Sequence, residues 1–260
     1  MPAFGAKEVQ ELRRSTGAGM MDAKKALTEA DGDFERATQI LREKGLAKAA
    51  NLASRDNSEG LVAIARDASG AALVHLKSET DFAAKSDDFR KMTQELADLV
   101  LASGPEAISA KDAEMEDLKL TVKENIEVGT VLRYEATAGR EIDAYLHGDG
   151  RAGVLIEAQG VSPELLHEIA LHIAFAKPTY LQRSDVPADE VDKERATLLE
   201  ITKKEGKPEQ AWPKIVEGRL DAWFGERVLL EQGVFGEKET VKAKIGSGTI
   251  SRFALAIVGG

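Results

Sequence analysis

The sequence predicts an α+β protein in three parts. These are a three-helix N-terminal domain over 1–54, the first half of a core over 55–139 and its second half over 140–260, with an antiparallel coiled-coil hairpin inserted at about 187–226. Three observations predict it. Apolar residues recur at helical spacing through the first 50 residues. The period changes to two beyond Glu59 and again near Ile142. Each period-two segment is a pair of runs around a glycine turn with a helical stretch after it.

In the N-terminal part, Val9 and Leu12 share one helix face, and Thr16-Gly17-Ala18-Gly19 breaks that helix with turn chemistry. Met20, Ala23, Leu27 and Ala30 form the stripe of a second helix, placing Met20 in a core and leaving Met21, about 100° round, facing outward. Gly32 ends that helix and Asp33 caps a third, whose face carries Phe34, Ala37 and Leu41. Helices this short are stable only packed on one another. The polar stretch Asn51–Ser58 reads as a linker.

In the core, Leu61–Ala65 and Ala72–Leu76 flank Asp67-Ala68-Ser69-Gly70, and a helix with Phe89, Met92, Leu96 and Val100 follows. The arrangement recurs where Ile142–His147 and Val154–Ala158 flank Gly148-Asp149-Gly150-Arg151, ahead of a helix from Pro163 to Lys177-Pro178. Helices of such units cover sheet faces. Within the inserted hairpin one seam is Val191, Leu198 and Ile201, and the other Ile215, Val216, Leu220 and Trp223, with Gly206-Lys207-Pro208 between them. Pro213 does not fit a helix interior, so the second arm is expected to start or kink there. The final run, Ile250–Val258, alternates well enough to close a sheet.

Composition narrows the function. With 35 basic and 45 acidic residues the net charge is −10, which argues against a phosphate backbone as the main partner. The absence of cysteine removes disulfides, thiol catalysis and thiolate metal sites. Neither a signal core at the N-terminus nor a long apolar run is present, so a soluble, cytoplasmic protein is expected. His167 and His172 lie five apart, about 140° round a helix, where a zinc-protease pair needs a spacing of four. For His75 and His147, in or beside strands, a packed or hydrogen-bonded ring is the default. Phosphate loops, nucleophile elbows and dinucleotide fingerprints are missing, so neither an enzyme nor a bound cofactor is expected.

What stands out is Thr80-Asp81-Phe82, an aromatic ring and a carboxylate between a strand and a helix. Two structural roles compete with a partner contact there. Phe82 can bury its ring at the start of its own helix, and Asp81 can cap it.

The segment Glu11–Lys25, with its Thr16-Gly17-Ala18-Gly19-Met20-Met21-Asp22 run, closely resembles the N-terminal signature of the elongation factor Ts family. Glu79-Thr80-Asp81-Phe82-Ala83-Ala84-Lys85 is similar to its second signature, with Ala83 where valine is usual, and His147-Gly148 with Gly153–Ile156 to a third. The resemblance implies a ubiquitin-associated-like N-terminal domain, a two-part core and a coiled-coil arm. It also implies a guanine-nucleotide exchange factor that acts on GDP-bound and nucleotide-free elongation factor Tu, without nucleic acid or membrane. Thr80, Asp81, Phe82 and Ala83 would disturb that partner's magnesium site. Leu12, Met20 and Met21 would touch its GTPase domain, and His147 another domain. Asp81 could act there on the cation's ligands or bond to partner backbone. The alternative is a non-catalytic scaffold that binds a protein through the three-helix domain.

Overall fold

The computed structural model describes residues 4–16, 18–52 and 55–260, the side chains of 45–52 excepted. It is a mixed helix-and-sheet protein that divides into two compact units. One holds residues 1–65, 72–133 and 256–260; the other holds 66–71 and 134–255.

The first unit opens with α1 (Ala6–Thr16), α2 (Met20–Glu29) and α3 (Phe34–Leu52). Leu12, Ala23, Leu27 and Ala37 are fully buried between them. Asp33 caps α3 as expected, its Oδ1 accepting the Arg36 amide at 2.9 Å after Asp31 and Gly32 turn the chain through positive φ. Two expectations need correction. Met20, the first residue of α2, is 42% exposed and is not among the residues buried between the three helices. The linker expected from Asn51 begins later, since good helix formers carry α3 through Leu52. Of the residues assigned to that linker and to the turn before α2, Ala53, Ser54 and Gly17 lie outside the described residues.

Next come β1 (Glu59–Asp67), β2 (Gly70–Ser78), α4 (Asp81–Ala84), α5 (Asp87–Ser103), α6 (Asp112–Val122) and β3 (Glu127–Glu135), with sheet order β1-β2-β3. Val74 and Leu76 of β2 pack with Phe89, Leu96 and Val100 of α5, the stripe read from the sequence. Gly60 has φ +146°, and a Cβ there would lie 2.2 Å from the Leu76 carbonyl oxygen, so only glycine lets β1 approach β2 this closely. The sequence reading missed α6 and β3.

The second unit contains β4 (Glu141–His147), β5 (Ala152–Gln159), α7 (Pro163–Ala176), α8 (Ala188–Lys204), α9 (Trp212–Arg227), α10 (Val241–Ile245) and most of β6 (Thr249–Ile257). β4 pairs antiparallel with β5, from Glu141 opposite Ala158 to His147 opposite Ala152, and β6 completes the order β4-β5-β6. Ser162 caps α7, with Pro163 in its first turn, and left-handed Lys177 ends it before Pro178. Leu166, Ile169 and Ile173 of α7 pack with Val154 and Ile156 of β5.

In α9 Pro213 sits in the first turn, where its missing N–H costs nothing. Leu220, Phe224, Val191 and Leu198 join one apolar cluster of α8 and α9. Ile201 does not join the seam: it is 42% exposed, while Thr202, four residues on from Leu198, is buried. Its hydroxyl donates to the Leu198 carbonyl at 2.7 Å and accepts from Arg219 at 3.2 Å, which satisfies the polar group inside the seam. Among the described residues no helix is long and apolar enough to cross a membrane.

Candidate partner-binding site

The turn between β2 and α5 is built from interlocking side-chain caps. Thr80, extended at φ −126° and ψ 154°, is the N-cap of α4, and its Oγ1 accepts the Ala83 amide at 3.2 Å. Ser86 caps α5 and donates its hydroxyl back to the Ala83 carbonyl at 2.7 Å. Ala83 and Ala84 are buried beneath the turn. A four-residue helix cannot persist alone, so these caps and the alanines hold its shape.

With the alanines inward, Phe82 points out and is 82% exposed, which removes the reading that it packs at the start of its own helix. The capping role expected of Asp81 belongs to Thr80. Asp81 instead bonds Lys85 one turn later, Nζ to Oδ2 at 2.6 Å. That bond, followed by the Lys85 charge, holds the Asp81 carboxyl below its usual range, so it is anionic at neutral pH. The site thus presents a bare benzyl group next to a carboxylate tethered by a flexible lysine.

A second acidic residue, not marked by the sequence pattern, completes the turn. Glu124, just after α6, accepts the amides of Glu79 and Thr80 with Oε2, at 3.1 and 3.0 Å, and the Thr80 hydroxyl with Oε1 at 2.6 Å. Glu79 reciprocates, its Oε1 accepting the Asn125 amide at 2.6 Å. No local signal marks Glu124, which stands 44 residues from Thr80 among 45 acidic residues.

The other predicted contacts are carried by α1, α2 and β4. Leu12 is fully buried, so its side chain has no surface to offer; Met21 is 64% exposed. His147, exposed at the end of β4, bonds the Tyr145 hydroxyl through Nδ1 at 2.8 Å. Tyr145 also meets the His167 ring edge-on, and His167 Nδ1 lies 2.8 Å from Asp143. His75 is buried in β2, and burial, then Lys77, pushes its pKa down, so it is neutral at pH 7. His172 is buried on α7, accepting the Phe235 amide on Nδ1 at 3.1 Å, which leaves its Nε2–H to donate to Gln232 at 3.0 Å. Among the described residues, no group of three or more His, Asp or Glu side chains is arranged to hold a metal ion.

Comparison with known proteins supplies a family. A family model described as "Elongation factor TS" matches residues 79–259. The chain is 42% identical to the elongation factor Ts of Clavibacter michiganensis subsp. michiganensis, over the whole length of both. It is equally similar, 42%, to that of Mycobacterium avium, over all of this chain and 99% of the other. Identity with the protein from Alkalilimnicola ehrlichii is 38%, over 99% of this chain and 92% of that one.

Proposed function

The chain belongs to the elongation factor Ts family of translation elongation factors, and from that premise we propose that it speeds GDP release from elongation factor Tu in the cytoplasm. The observation that carries the reading is the outward, preformed Phe82 beside an ionised Asp81. A GTPase holds GDP through backbone amides, a lysine and Mg²⁺ together. Magnesium requires near-ideal octahedral oxygen geometry, so a small displacement of its surroundings loosens the whole cluster. Burying the Phe82 ring between partner side chains supplies roughly 1.5–3 kcal/mol toward that displacement. Phe82 is 82% exposed beforehand, so most of this gain is realised on contact.

Asp81 acts at the edge of the same wedge, exchanging its Lys85 bond for partner groups around the cation. Met20 and Met21 extend the contact to the GTPase domain, with Leu12 fixing α1 behind them, and His147 meets a second partner domain. The chain binds no cofactor and forms no covalent intermediate. Coupling is reciprocal, so GDP weakens the factor's hold on the partner by the same ratio as the factor weakens GDP.

Release of a fluorescent GDP from elongation factor Tu tests this. With excess unlabelled GDP present to displace the factor after each turn, substoichiometric amounts of the intact chain are expected to exchange the label from the whole partner population, each molecule acting repeatedly. Tight binding with an unchanged release rate would instead establish the scaffold reading.

A further inference from the structure

The geometry points to Glu124 as the positioning residue of the exchange wedge, an inference that rests on the reading of Asp81 and Phe82 just given. Its carboxylate takes three donors from two consecutive residues: the Glu79 and Thr80 amides and the Thr80 hydroxyl, all at 3.1 Å or less. Those residues immediately precede the wedge. The Thr80 hydroxyl, oriented by its bond to Glu124, is left with a lone pair for the Ala83 amide, which sets the first turn of α4. The path from Glu124 to the direction of the Phe82 ring is therefore two hydrogen bonds and one helical turn.

The clamp is anchored by the two residues that follow Glu124. Asn125 gives its amide to Glu79 and its Nδ2 to the Arg55 carbonyl at 2.7 Å, and Ile126 is fully buried in the same core cluster as Leu76 and Phe89. Glu124 cannot drift without drawing Asn125 and Ile126 with it. Glu79 and Thr80 are themselves only half-buried. If the carboxylate is removed, water can take up the freed amides, and the fold survives while the turn loses its fixed orientation. That separates positioning from mere stability.

Four variants of the full chain test the role against the GDP-loaded GTPase partner: Glu124→Ala, Glu124→Gln, Phe82→Ala and Glu124→Ala/Phe82→Ala. Glu124→Ala is expected to lower the maximal GDP-release rate on the order of tenfold, with the half-saturating concentration moving less than about twofold. Hydrogen exchange at the Glu79 and Thr80 amides should accelerate while the melting transition holds its position. Glu124→Gln keeps a carbonyl oxygen for the two amides and should recover most of the rate. The double variant should release GDP no more slowly than Phe82→Ala alone, because Glu124 acts through that ring.

Wild-type release by Glu124→Ala, with Phe82→Ala impaired, overturns the inference and leaves the exchange reading standing. Full additivity in the double variant, or loss in step with the unfolded fraction, overturns it too. If Phe82→Ala itself releases GDP normally, the exchange reading fails and the inference with it.

Discussion

Replacing Asp81 and Phe82 together by alanine is expected to slow factor-stimulated GDP release between about tenfold and about 160-fold. The range follows from converting the roughly 1.5–3 kcal/mol of a buried phenylalanine into a rate, at 1.36 kcal/mol per factor of ten. The benzyl group contributes only once it has entered the partner, so the maximal rate should fall while the half-saturating concentration changes less. Stability should stay as it was. Phe82 is 82% exposed, and the bonds that shape the turn belong to Thr80, Ser86 and Glu124. Phe82→Leu should fall between the wild type and Phe82→Ala, retaining apolar volume without the flat ring. Stopped-flow release with a fluorescent GDP, beside a thermal melt of each variant, checks both halves.

The largest effect on stability is expected at Glu157. Its side chain, in the C-terminal half of β5, is 1% exposed and holds Arg140 at 2.5 Å on one oxygen and Arg252 at 2.8 Å on the other. Arg252 in turn stacks 3.9 Å above the Tyr134 ring. Burial pushes the Glu157 carboxyl upward, but the bonds and charges of the two arginines outweigh it and leave the pKa below the ordinary 4.5. Burial also pushes the Tyr134 hydroxyl up to about 12, so it is neutral throughout the useful range. Glu157→Ala should cost about 2–4 kcal/mol, somewhat less than the roughly 3–5 kcal/mol of breaking a fully buried ion pair, because both guanidiniums are half-exposed and regain water. Since the folded pKa lies below the unfolded one, the carboxylate stabilises the fold above pH 4.5, and that contribution is lost as pH falls through the lowered value. The gap between wild-type and Glu157→Gln melting temperatures should be widest at neutral pH and close on acidification. A gap independent of pH would show that the carboxylate charge is not what holds the arginines.

Legibility in the sequence followed how local each cause is. The two hairpins, the α5 and α7 stripes, the Asp33 cap and the first-turn place of Pro213 all depend on neighbours within a few residues, and periodicity and turn chemistry exposed them. The membership of the chain in its family was legible from ordered motifs. β3 was not, because its residues are half-buried nearly throughout and show no clean alternation. α6 does carry Met115, Leu118 and Val122 at helical spacing, so its cause is local. Ile201 and Thr202 exchanged places because a seam stepping three or four residues from Leu198 is undetermined by hydrophobicity alone, and a threonine satisfied by Leu198 and Arg219 filled it. At the site, Thr80, Asp81 and Phe82 stood out by their position between strand and helix. Glu124 reaches them only through the folding of the intervening chain, so no pattern along the sequence identified it.

The central claim, that Phe82 enters the partner's magnesium–phosphate pocket, is tested most directly by photo-crosslinking. A benzophenone-bearing phenylalanine in place of Phe82 keeps an aromatic ring on the same turn and reacts with whatever surrounds it. Irradiated with nucleotide-free elongation factor Tu, it should attach to the segments of the GTPase domain that hold Mg²⁺ and the GDP phosphates, and excess GDP should suppress the product. Attachment confined to another partner domain, or to this chain itself, would contradict the account.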